Sequence, residues 1–151
     1  MSDQGRVVNF TEFREQKLEE KRRKNERVFI NHVLGVFGVT GNNSMHQIEL
    51  VDVSDDGCAF QVPFNPEKPW PTTDGALPIR LYFSQDTFLE IPVMIQNSKS
   101  AIQNGQRYVR YGCRVDTTSA SYKAYQSFVS FLKTYAEVAR KDNGNVSIFF
   151  V

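Results

Sequence analysis

Between Val28 and Val115 apolar and polar residues alternate at several points, and that period of two limits the fold to one built mainly from β-strands. Val109, Tyr111, Cys113 and Val115 fall on one apolar face of a strand, and Ile48, Leu50, Asp52 and Ser54 share a face of another. Turn chemistry separates the runs. Strands are predicted over Val28–Val39, Met45–Val53, Cys58–Val62, Ile79–Phe83 and Phe88–Gln96, with a turn at Gly41-Asn42-Asn43. Pro92 interrupts the last of these and implies an edge position or a bulge. A Pro- and Thr-rich loop containing Trp70, the only tryptophan, runs from Pro63 to Pro78.

The pattern switches after Asp116-Thr117-Thr118-Ser119. Tyr125, Phe128, Leu132, Tyr135 and Ala139 recur at three- and four-residue spacing, which predicts an amphipathic helix to about Lys141, stopped by Asn143-Gly144. At the other end, residues 9–24 lack Gly and Pro and carry Glu19/Arg23 and Glu20/Lys24 in the favourable i,i+4 order, with Asn9 as a cap. Phe10, Phe13 and Leu18 are too few for a core-facing stripe, so this segment is expected to be a solvated helical arm. Strands followed by one packed helix imply a small antiparallel β-barrel or sandwich. The division is residues 1–20 as arm, 21–142 as the β domain with its helix, and 143–151 as tail, in which Val146–Val151 forms either a strand or a buried segment.

A chain of 151 residues with 40% hydrophobic and 13% aromatic side chains has enough apolar surface for one folded domain. No stretch approaches the roughly 20 apolar residues that span a bilayer, and no signal core follows the N-terminus, so the expectation is a cytoplasmic protein without membrane insertion. Cys58 and Cys113 show no metal or redox spacing and read as structural thiols. His32 and His46 lie near no nucleophile motif. With no G-x-S-x-G and no Walker loop, an enzyme is not expected, unless Asp52, Asp55 and Asp56 gather a metal. The formal net charge of +1 argues against a DNA or RNA binder that relies on a basic surface. Yet Lys21, Arg22, Arg23, Lys24 and Arg27 are crowded into seven residues with one acid, Glu26, which suits a small anionic ligand.

Two clusters give that ligand a chemistry. Arg23 and Arg27 place two guanidinium forks four residues apart, matched to phosphate oxygens or to the O6/N7 edge of guanine. Asp52-Val53-Ser54-Asp55-Asp56-Gly57 offers a carboxylate acceptor, a hydroxyl and a glycine that admits a close backbone turn. In this order, R-x-x-x-R followed by D-x-S-x-x-G, the chain resembles the PilZ family of bacterial cyclic di-GMP receptors, over about residues 21–132. Arg27 running into Val28-Phe29-Ile30 and the late strand Tyr108–Val115 carry the resemblance further. It implies a β-barrel, a cyclic di-GMP site made by Arg23, Arg27, Asp52, Ser54 and Gly57, no other cofactor, and an arginine segment that closes over the ligand as a clasp. Arg22, at the position before the first motif arginine, implies two ligands per protomer in a stacked pair. The implied function is a non-catalytic sensor that regulates a partner protein in motility, adhesion or exopolysaccharide output. The alternative is a PilZ-like protein-interaction module that ignores nucleotide.

Overall fold

The structure, a computed structural model, describes residues 10–41, 43–67, 75–147 and 149. Trp70, Asn9, Asn42 and the tail residues Ile148, Phe150 and Val151 lie outside them. Helix α1 (Phe10–Val33) is followed by β1 (Gly35–Thr40), β2 (Ser44–Gln47), β3 (Glu49–Val53), β4 (Gly57–Pro63), β5 (Ala76–Tyr82), β6 (Phe88–Gln103), β7 (Gln106–Val115) and α2 (Tyr122–Val138). All seven strands join one antiparallel sheet in the order β2-β1-β5-β6-β7-β4-β3.

The segment 28–33 is helix, not strand. Local β-propensity at Val28-Phe29-Ile30 is overridden by packing: Ile30 and Leu34, four residues apart, enter the core, and Phe29 lies against α2 with its ring 5.0 Å from that of Tyr135. Residues 11–18 are exposed, as expected of an arm, but the same helix continues without a break through residue 20 and docks by its last turns.

The predicted strand Met45–Val53 is divided at Ile48, which is buried and donates its N–H to Val36 O at 3.2 Å. On either side of it β2 pairs with β1 and β3 pairs with β4, so neighbours in sequence form the two edges of the sheet. The sheet is not closed into a barrel. Where a closing strand would bind β3, Asn31 of α1 does so with its side chain: Nδ2 donates to Leu50 O at 2.9 Å and Oδ1 accepts from Leu50 N at 3.1 Å. The strand near Pro92 is longer than expected and reaches Gln103. Pro92 sits where β7 has ended, and its carbonyl accepts from Asp116 N at 2.9 Å.

The core lies between the sheet and α2. Phe60, Leu77, Leu81 and Val115 from the strands meet Val129 and Leu132 from the helix. The stripe on α2 holds Tyr125, Phe128, Val129, Leu132 and Ala136; Tyr135 is partly exposed and Ala139 caps the helix end instead. In the tail, Val146 and Phe149 are exposed, so neither expectation for that segment is met at these residues. Among the described residues no helix is long and apolar enough to cross a membrane.

Candidate functional site

Successive residues of a helix are turned by about 100°, so adjacent arginines on α1 take different partners. Arg23, Arg27 and Asn31, at i,i+4 spacing, line a cavity of about 890 Å³ together with Gln61 and Pro63 of β4 and Tyr108 of β7. Arg23 is an exposed side chain whose Nε makes a 3.4 Å ion pair with Glu19. Arg27 donates from Nε to the carbonyl of Val51 at 2.8 Å.

That carbonyl is available because β3 is bulged. The register passes from Leu50↔Phe60 to Asp52↔Ala59, leaving Val51 without a cross-strand partner. Leu50 and Asp52, expected on one face, are separated by the bulge: Leu50 is buried in the core while Asp52 is exposed. Asp52, Ser54 and Gly57 line a second cavity of about 390 Å³, with Asn97 of β6 and Gly112 and Arg114 of β7. The turn itself is closed by Ser54 N donating to Gly57 O at 2.9 Å. Ser54 Oγ lies 3.4 Å from Asp56 Oδ1 and 3.3 Å from Gly57 O. Gly57 does not adopt the left-handed conformation that a sharp glycine turn would use; it is needed because a Cβ there would stand 2.8 Å from Cys113 O.

The two halves of the motif therefore open into neighbouring cavities along one strand. On β4, Gly57 and Ala59 border the smaller cavity and Gln61 and Pro63 the larger. Adjacent same-face positions of a strand are about 7 Å apart. The Arg27–Val51 hydrogen bond, one residue before Asp52, ties the halves together.

Arg22 is placed elsewhere. Its guanidinium bonds the carboxylates of Glu19 and Glu26, with the Nε–Glu19 contact at 3.0 Å, on the side of α1 where Asn25 Nδ2 reaches Ala136 O of α2 at 3.0 Å. The Glu19 hydrogen bond pushes the Arg22 pKa up. Glu26 is a buried acid whose pKa is raised by burial, with the Asp52 and Glu19 charges adding to the rise and Arg22 opposing it. The structure thus brings Arg23 and Arg27 to one cavity, Asp52, Ser54 and Gly57 to the next, and leaves Arg22 in an ion-pair cluster outside both.

A family model described as PilZ domain matches residues 21–131, a span that holds both motif halves and ends inside α2. The chain belongs to the PilZ domain family. Its fold is similar to that of MrkH from K. pneumonia in complex with c-di-GMP, with a TM-score of 0.56 and 15% identity over 72% of this chain and 49% of that one. The PilZ domain of YcgR from Escherichia coli, solved with c-di-GMP, gives 0.50 and 17% over 70% and 86%. PlzA from Borreliella burgdorferi in complex with c-di-GMP gives 0.50 and 11% over 85% and 60%. The chain spans about half the length of the MrkH structures it matches, and at these identities the likeness is one of fold. No curated protein matches the chain significantly.

Around the PilZ motif lie residues that the sequence did not assign to it. Gln61, flanked by core residues Phe60 and Val62, is almost fully buried; its Nε2 donates to Gln103 Oε1 at 2.9 Å and its Oε1 accepts from Arg110 Nη2 at 2.9 Å. Arg110 is therefore a part-buried member of a polar chain beneath the larger cavity, and Arg114 borders the smaller one. Asn97 follows a second bulge, between Ile95 and Asn97, and packs so close to Gly112 that a Cβ there would lie 2.8 Å from Asn97 Oδ1. Cys58 and Cys113 face each other across β4 and β7 as free thiols. Among the described residues no group of three or more His, Cys, Asp or Glu side chains could hold a metal, and Asp52, Asp55 and Asp56 form no such group.

Proposed function

We propose that this PilZ chain is a cyclic di-GMP receptor without catalytic activity, which regulates a partner protein through the arginine-bearing segment of α1. The observation that carries the reading is the meeting of both motif halves along β4, one lined by guanidiniums and the other by a carboxylate and a hydroxyl. In this reading the phosphates go to Arg23 and Arg27, and Asp52 accepts from the N1 and N2 donors of guanine, a pattern adenine lacks. Ser54 supplies a further hydrogen bond. Gly57 keeps the turn low beneath the base.

Both arginines can change partner at small expense. The Arg23–Glu19 pair is solvent-exposed, a class of contact worth about 0–1 kcal/mol, so a phosphate displaces it easily. The Nε contact of Arg27 uses one of five guanidinium protons. Arg22 differs, since a second stacked ligand has to draw it away from both Glu19 and Glu26. Two ligands per protomer remain the proposal, with reorganisation of α1 at Arg22 as its structural requirement.

The test is isothermal titration with cyclic di-GMP, with GTP as the competitor control, on the parent and on Arg23→Ala/Arg27→Ala. Binding by the parent that is lost in a folded variant supports the receptor. A folded parent that takes no nucleotide refutes it and favours the constitutive interaction module. Saturation at one ligand per chain overturns the stacked pair alone.

A further inference from the structure

The Ser54–Gly57 turn is held from beneath by a residue far away in sequence. Tyr125, in the first turn of α2, is 2% exposed. Its hydroxyl lies 2.9 Å from Ser54 O and 2.7 Å from Gly57 O. Its ring packs among apolar side chains, including Leu50, Val53 and Phe128. A buried hydroxyl costs stability unless it is bonded, and phenylalanine would fill this space without that requirement. Here the bonds go to the first and fourth residues of the turn whose outer side borders the smaller cavity. Burial pushes the Tyr125 pKa far above its ordinary value, so the hydroxyl stays a donor. Lys133 of the same helix makes a second contact with the turn, 3.7 Å from Asp55.

We propose that Tyr125 is a positioning residue of the ligand site: its hydroxyl sets the Ser54–Gly57 turn for the base and transmits occupancy of the cavity to α2. The inference rests on the cyclic di-GMP reading above. One phenol proton serves two carbonyls, so the contact has two arrangements, one favouring Ser54 O and one favouring Gly57 O. A ligand that draws Ser54 outward binds one arrangement better than the other, which is the differential contact that coupling requires.

The experiment compares the parent, Tyr125→Phe and a variant with para-aminophenylalanine at the same position, which restores an N–H donor. Each is titrated with cyclic di-GMP, and amide exchange across 122–133 is measured with and without it. The expected result is a folded Tyr125→Phe variant whose affinity falls roughly three- to tenfold. The ligand-dependent exchange change seen in the parent is lost in that variant and returns with the amino variant. A phenylalanine variant with the parent's affinity and exchange response overturns the inference and leaves the receptor standing. A folded parent that does not bind overturns both. If the phenylalanine variant does not fold, the parent decides alone: no exchange change across α2 at saturation overturns the inference.

Discussion

Replacing Gly57 with alanine tests whether the motif glycine serves the sheet as well as the ligand. A Cβ at this position would stand 2.8 Å from the backbone oxygen of Cys113, with Ser54 Oγ next at 3.6 Å. The obstacle is a carbonyl within the β4–β7 ladder, where Gly57↔Arg114 and Cys58↔Cys113 are paired, so no side-chain rotation relieves it. The two strands have to separate locally, an overpacking strain of about 1–3 kcal/mol. Alanine also restricts the unfolded chain, which returns about 0.4–1 kcal/mol. The net expectation is a loss of about 0–2.6 kcal/mol, centred on about 1.3 kcal/mol, or a Tm lower by roughly 3–5 °C at that centre for a domain of this size. Gly41→Ala is the control, because a Cβ there meets nothing within 4 Å and the residue is outside the left-handed region. It should leave stability unchanged or raise it by about 0.4–1 kcal/mol. Urea unfolding and thermal melts followed by circular dichroism read both. A Gly57→Ala protein as stable as the Gly41→Ala control would refute the close-approach argument and leave the glycine only the ligand role proposed for it.

Asn31→Ala should cost about 2–3 kcal/mol in urea unfolding, since it leaves both the N–H and the carbonyl of Leu50 without their helix partner. Leu132→Ala, at a fully buried position of α2, should cost about 2–5 kcal/mol, whereas Leu132→Met should cost under about 1.5 kcal/mol. Asp116 has a pKa lowered by the Thr118 hydroxyl, so its contribution is present above the ordinary aspartate value and is lost as pH falls through the lowered one; Asp116→Asn should flatten the acid side of a Tm-against-pH curve. Glu26 acts in the opposite sense: raised by burial, it contributes below the ordinary glutamate value and loses that contribution as pH rises through the raised one, so Glu26→Gln should flatten the curve there.

The parts of the fold written in local periodicity were legible. The α2 stripe at Tyr125, Phe128 and Leu132 and the alternation of Val109, Tyr111, Cys113 and Val115 each depend on spacing within one element. What spacing could not show was set by contacts between elements. Residues 28–33 favour strand locally but are helical because Ile30 and Leu34 find the core. The bulge at Val51 leaves no trace in the spacing of Leu50 and Asp52, yet it turns Asp52 outward and frees the carbonyl that Arg27 takes. Gln61 carried a signal, a polar residue between two apolar ones in a strand, but its burial depends on Arg110 and Gln103 from other strands. Arg22 and Arg23 are both expected at the ligand, but the helical turn between neighbours gives Arg22 the Glu19 and Glu26 carboxylates and sends Arg23 to the cavity.

That separation also shows where α1 is held. Its C-terminal end is fixed by Ile30, by Leu34 just beyond it, and by the two Asn31–Leu50 hydrogen bonds, whereas residues 11–18 are exposed. Between these ends stand Arg27, bonded to Val51, and the Arg22, Asn25 and Glu26 contacts beside α2. On the proposed reading, a phosphate that draws Arg27 away from Val51 leaves the Asn31–Leu50 bonds in place, so the helix keeps its fixed end and is loosened just ahead of it. The exposed portion then acts as a lever: ten helical residues span about 15 Å, and a tilt of a few degrees at the pivot displaces their far end by about an ångström or more. On the same reading, a ligand in the smaller cavity reaches α2 through the Ser54–Gly57 turn, whose carbonyls accept from Tyr125. On the proposed reading, occupancy of the arginine cavity acts first on α1 and occupancy of the smaller cavity on α2 through Tyr125, and the Asn25–Ala136 and Phe29–Tyr135 contacts join the two helices.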